Sequence, residues 1–205
     1  RGFSPPPPAD AAAATSSDTS SFQLFAVTPL ETLMVNPRYT QDPQYLTHYE
    51  FLGRAVGKAV YESILVEPQF CLPFLNTLLS KSNTLEDLKN YDPEYYASLV
   101  KLMTMSREDI ASTGLTFEVN IYPDQQDAVE LMPGGSNKLV TKDNVIQYAH
   151  MVSHRLLNQQ AAPQIRAFLR GFRDLIPAAW VRLFSSHELQ KLVSGDDSVQ
   201  GIDVP

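Results

Sequence analysis

The sequence predicts an α+β fold in which helices dominate, and three observations carry it. From about Pro43 to Ser63 the apolar residues Tyr49, Leu52, Val56 and Ala59 recur at helical spacing. Downstream, Asp92-Pro93-Glu94, Ser106-Arg107-Glu108-Asp109 and Ser185-Ser186-His187-Glu188 are helix-start signatures. Only from Leu115 to Ile121 does the apolar period fall to two, which marks a strand.

The elements follow in order. Residues 1–21 are rich in Pro, Ala, Ser and Thr, with Pro5 to Pro8 in a row. Such a stretch buries too little apolar surface to offset its ordering entropy, so it reads as a disordered linker, with a transit peptide as the rival reading. Order begins near Phe22 with the apolar run Phe22, Leu24, Phe25 and Val27, and Asn36-Pro37 turns the chain. In the Tyr49 helix, Gly53 and Gly57 each cost about 1 kcal/mol of propensity relative to Ala. Close approach of another backbone would offset them. A membrane role for this Gly-x-x-x-Gly fails because Glu50, Arg54 and Lys58 interrupt the run. Pro68 and Pro73 bracket a short stretch leading into a helix through Leu79, and Thr84 to Leu88 reads as a helical turn. The Asp92 helix runs to about Met103, and Gly114 stops the short helix after Ser106. Leu115, Phe117, Val119 and Ile121 form a strand, a loop holds Pro123 and Asp124, and Ala128 to Met132 returns as the hairpin partner. After the turn Pro133–Ser136, Thr141 caps a helix to about Asn158, and Pro163 starts another that Pro177 closes. Trp180 to Phe184 is a short apolar element, and a last helix runs through Val193.

Composition narrows the function. The 205 residues are 43% hydrophobic and 19% charged, enough for a real core. A net charge of -7 argues against nucleic-acid binding, which needs a basic footprint. No run approaches the roughly 18 apolar residues of a membrane span. The single Cys excludes an internal disulfide framework and fits a reducing compartment, the cytoplasm or the nucleus.

No catalytic constellation emerges. Cys71 lies among Phe70, Leu72 and Phe74 with no adjacent cation to lower its pKa, so it reads as an apolar core thiol. His150 and His154 have metal spacing, but no Cys pair or His-Glu-x-x-His completes a site, so no metal or cofactor is expected. The Asp92 helix is more informative. Tyr95, Leu99 and Leu102 form one apolar stripe, and Tyr96, Val100 and Met103 form an adjacent one. That arc is broad for a surface helix. One stripe can serve the core and the other a partner; full burial of the helix is the alternative.

Taken together, these segments resemble the HECT-type ubiquitin ligase domain. The matching motifs, in family order, begin with Tyr49-Glu50-Phe51-Leu52-Gly53-Arg54 with Gly57-Lys58-Ala59, Leu115-Thr116-Phe117, and Glu130-Leu131-Met132-Pro133-Gly134-Gly135. Val140-Thr141-Lys142-Asp143-Asn144, Arg155-Leu156-Leu157-Asn158, Ala167-Phe168-Leu169-Arg170-Gly171-Phe172 and Leu189–Gly195 complete them. The ending Glu188-Leu189-Gln190 through Asp196 looks most like the subgroup without WW domains. The resemblance implies a partial domain over residues 22–205, the N-lobe, with an E2-binding subdomain at about 84–148 that contains the hairpin. In the family this lobe docks a ubiquitin-charged conjugating enzyme (E2), and a cysteine on a separate C-lobe carries ubiquitin to substrate lysines. The family's opening segment and C-lobe have no counterpart here and Cys71 does not match that cysteine, so this chain is expected to form no thioester. The implied E2 groove comprises Tyr95, Leu99, Leu102, Leu115, Tyr148 and Val152, with Leu99→Ala and Tyr148→Ala expected to weaken docking without unfolding. Some members also hold ubiquitin non-covalently near the positions of Phe70 and Phe74, where a core role is the plainer reading. A truncated E2-binding competitor of full-length ligases is the second reading, and an unrelated helical scaffold the third.

Overall fold

The computed structural model describes residues 23–37, 43–67, 69–120 and 128–195. The expectations for residues 1–22, Pro68, Ile121, the Pro123–Asp124 loop and Asp196 lie outside them.

The chain forms strands β1 (Phe25–Val27) and β2 (Leu33–Val35), then helices α1 (Pro43–Tyr61) and α2 (Leu72–Leu78). A 3₁₀ turn (Glu86–Asn90) leads to α3 (Pro93–Thr104), α4 (Arg107–Thr113) and the short strands β3 (Glu118–Val119) and β4 (Val129–Glu130). Helix α5 (Val145–His154) passes through a π turn (Arg155–Gln159) into α6 (Ala162–Arg173), followed by α7 (Ala178–Val181) and α8 (Ser186–Ser194). The fold is α+β and predominantly helical. Among the described residues there are two antiparallel hairpins rather than the one expected. The missed pair, with Phe25 opposite Val35 and Val27 opposite Leu33, is only three residues a side, too short for its period to show.

Two hydrophobic cores organise these elements. Buried residues of the first come from the segments 34–79 and 161–193, and those of the second from 85–157. The chain therefore crosses between them twice, once between Leu79 and Leu85 and once between Leu157 and Ala161. Tyr91 packs against both.

The first core centres on the crossing of α1 and α6, where the backbone approach anticipated at Gly53 and Gly57 occurs. A Cβ on Gly53 would overlap the Phe168 carbonyl, and one on Gly171 would overlap the Glu50 carbonyl. The two glycines thus open the same contact from both sides. At Gly57 the nearest atom would be the Phe172 oxygen at 3.1 Å, a looser fit. Arg54 to Asp174 (2.7 Å) and Arg170 to Glu50 (3.2 Å) flank the crossing as exposed ion pairs. Pairs of that kind contribute little to stability. Phe70, Phe74, Phe25 and Phe168 pack edge-on or tilted beside it, with Phe70–Phe74 centroids 5.2 Å apart.

Local chemistry sets most boundaries. Asp92 accepts from the Tyr95 N–H, Ser106 from Asp109 and Ser185 from Glu188, the last with a complete capping box. Gly114 closes α4 at φ 62. Helix α5 starts later than expected. Asn144 turns its Oδ1 back onto the Thr141 N–H (2.7 Å), so residues 141–144 form a turn and Asn144 is the capping position. The apolar element at Trp180–Phe184 is a short helix that buries Val181, leaving Trp180 and Leu183 exposed.

Candidate functional site

Five of the six residues singled out for docking belong to the second core, and Leu115 lies outside it. Helix α3 is positioned at both ends: Asp92 caps its start, and the Lys142 ammonium donates to the Met103 and Met105 carbonyls at 2.9 and 2.8 Å. An ion pair from Arg107 to Asp143 (3.0 Å) ties α4 to the turn before α5.

Within this frame Leu99 and Leu102 point into the core, 4% and 7% exposed, as do Tyr148 at 5% and Val152 at 0%. Tyr148 packs edge-on against Phe117, centroids 5.5 Å apart, and the Lys138 ammonium lies 4.5 Å from the Phe117 ring centre. Tyr95 is half-buried beside Tyr148. Burial, then Tyr148 and Asp92, push its phenol up to about 12, and burial also raises Tyr148. Leu115 sits at the rim, 36% exposed, its carbonyl accepting from the Val140 N–H at 2.8 Å. The structure therefore places four of the six in the interior, with Tyr95 and Leu115 reachable from solvent.

The neighbouring stripe on α3, Tyr96, Val100 and Met103, is half-buried, so the helix is not fully enclosed. The stripe that faces inward is the one the family resemblance assigned to a partner. Consequently Leu99→Ala and Tyr148→Ala are core substitutions, and the expectation that they leave the domain folded gives way to one of lost stability. Two exposed apolar residues went unremarked in the sequence: Leu139, 59% exposed beside buried Val140, and Ile146, 61% exposed beside buried Val145. The signal was available, because Ile146 falls off the stripe that carries Tyr148, Ala149 and Val152.

A cleft of about 230 Å³ opens on the outer side of α5, lined by Leu131, Gln147, His150, Met151, His154 and Gln159. The two histidines share its wall, but among the described residues no three His, Cys, Asp or Glu gather to hold a metal. Nor, among them, is any helix long and apolar enough to cross a membrane.

Cys71 is 1% exposed and its thiol contacts the Met34 sulfur at 3.4 Å. Burial pushes its pKa up to about 12, so it stays a protonated core thiol. Phe70 and Phe74 are likewise interior, and neither ring is open to a partner.

Charge is unevenly shared. Residues 84–148 hold eleven Asp and Glu against five Lys and Arg, a net -6 of the chain's -7. That stretch of sequence thus carries almost the whole net negative charge.

A profile of the HECT-domain (ubiquitin-transferase) family matches residues 13–205. E3 ubiquitin-protein ligase UPL6 of Arabidopsis thaliana is 40% identical over 186 residues, covering 89% of this chain and 18% of that protein. E3 ubiquitin-protein ligase HUL5 of Saccharomyces cerevisiae is 38% identical over 78% of this chain and 18% of its own length. Ubiquitin-protein ligase E3B of Homo sapiens is 36% identical, covering 82% of this chain and 16% of itself. The chain spans less than a fifth of the length of these relatives.

Proposed function

Because the chain belongs to the HECT-domain (ubiquitin-transferase) family, we propose that it is the E2-docking, N-lobe part of a HECT-type ubiquitin ligase, with the docking subdomain at about 84–148. The observation that carries the reading is the gathering of Tyr95, Leu99, Leu102, Tyr148 and Val152 in one small core with Leu115 at its rim. Leu99, Leu102 and Val152 form the floor that holds the rim in place, and Tyr95 and Leu115 meet the partner. The excess negative charge of the segment 84–148 favours a basic partner face and speeds its approach.

In the whole protein, a cysteine thiolate attacks the carbonyl of the E2–ubiquitin thioester and expels the E2 thiolate. A substrate lysine amine then attacks the new thioester and releases the cysteine. Cys71 does not serve that step, since the nucleophile must be a reachable thiolate. The chain's part is to hold the E2 and its cargo, in the cytoplasm or nucleus, while the chemistry proceeds on another segment.

Binding of the chain to a panel of ubiquitin-conjugating enzymes by biolayer interferometry tests this. At least one E2 should bind, with an on-rate falling several-fold between about 50 and 300 mM salt, where the Debye length roughly halves. Leu115→Ser should weaken that binding about tenfold with an unchanged melting temperature, since it removes exposed apolar contact. Absence of binding across the panel would remove the docking assignment.

Cys71 should resist Ellman's reagent in the native chain and react within minutes in denaturant. On incubation with charged E2, a ubiquitin adduct on Cys71 in a non-reducing gel would contradict its exclusion from catalysis.

A further inference from the structure

The second core is reached through two crossings, residues 80–84 and 158–160, and these two passages are bonded to each other. The Asn158 carboxamide donates to the Asn83 carbonyl at 2.9 Å and accepts from the Asn83 N–H at 3.0 Å. A side-chain amide here mimics the reciprocal pairing of two strands. Asn83 is 5% exposed, and its own side chain reaches the first core, donating to the Pro73 carbonyl at 3.0 Å and accepting from Asn76 at 2.9 Å. Asn76 also donates to Asp87 in the 3₁₀ turn at 3.2 Å. Asn83 therefore uses both backbone groups and both side-chain groups across the junction. The π turn is the other half of the device. Its wider winding places Asn158 over Asn83, and π turns of this kind are found at functional positions in helices.

We propose that Asn158, acting through Asn83, is a positioning residue that fixes the orientation of the second core on the first. What the second core docks is thereby presented at a defined angle to the rest of the ligase. Without this pair, the cores remain joined by Tyr91 and by Asn76–Asp87, so they swing rather than separate. The presentation of an E2 rests on the docking reading above; the inter-core angle does not.

Spin labels at Arg166→Cys on α6 and Glu108→Cys on α4, both exposed positions in different cores, give the readout by pulsed EPR. Cys71 is buried and leaves the introduced thiols to react selectively. The parent chain should give one narrow distance distribution. Asn158→Ala should broaden it at least twofold, with E2 affinity changed by less than twofold. Asn158→Asp keeps an acceptor for the Asn83 N–H but loses the donor, and should fall between. A distribution as narrow as the parent's in Asn158→Asp and in any folded Asn158→Ala would overturn the proposal. Failure of the parent chain to bind any E2 would remove the docking reading and leave the distance result to stand on its own.

Discussion

Replacing Gly171 with alanine should strongly destabilise the first core, although alanine is the better helix former. The propensity gain is about 1 kcal/mol. Against it stands a Cβ placed on the Glu50 carbonyl of the facing helix, with the Arg54 N–H at 2.8 Å behind it. Both are backbone atoms, and they cannot rotate away as a side chain would. Overpacking of this kind typically costs about 1–3 kcal/mol and more where backbone must move, so a net loss of about 3 kcal/mol is expected. That is a large part of a small domain's stability. Gly53→Ala should behave alike through the Phe168 carbonyl, while Gly57→Ala should be mild, since 3.1 Å to the Phe172 oxygen needs a shift of only tenths of an ångström. Urea titrations of the three variants check this ranking. Equal midpoints at Gly171 and Gly57 would show that the crossing tolerates a methyl group.

Tyr148→Ala should cost about 3–5 kcal/mol, the range for deleting a large buried aromatic. The ring fills the space between α5 and Phe117, and five per cent exposure leaves no route for water to take its place without opening the core. Tyr148→Phe keeps that packing and removes only a hydroxyl whose approach to the Glu118 carbonyl is a long 3.5 Å, so its cost should stay below about 1 kcal/mol. Hydrogen exchange gives the sharper readout. In Tyr148→Ala, amides of α3, α4 and α5 should lose protection while α1 and α6 keep theirs. Uniform loss across both cores would mean that they unfold as one. An E2-binding defect in Tyr148→Ala therefore reports on the scaffold, whereas one in Tyr148→Phe reports on contact.

The fold was legible wherever the information was local. Asp92, Ser106 and Ser185 cap their helices because a short polar side chain can reach an N–H only two or three residues on, a rule that no distant packing overrides. The hairpin Phe25–Val35 escaped because its strands are only three residues long and Leu33-Met34-Val35 is a continuous apolar run without alternation to mark it. For the site, periodicity found the apolar face of α3 and the family resemblance added Tyr148 and Val152 on α5, but neither showed what covers them. Leu99 and Leu102 look the same in sequence whether a partner or Tyr148 lies opposite. Leu139 and Ile146 show the converse, since an apolar residue off the stripe can only be recognised as exposed once the stripe is known to face inward. Likewise the Arg155–Asn158 motif marks the family, but its bond to Asn83 joins residues 75 positions apart.

That last bond has an evolutionary consequence. Because the second core leaves and rejoins the first at adjacent points already bridged by a side chain, it has the anatomy of a cassette whose ends lie side by side. Such a segment can drift, or be exchanged between relatives, without disturbing the glycine crossing beneath it. The outer surface of the second core and the stability of the scaffold then come under separate selection, the latter exerted on the glycines where α1 and α6 cross.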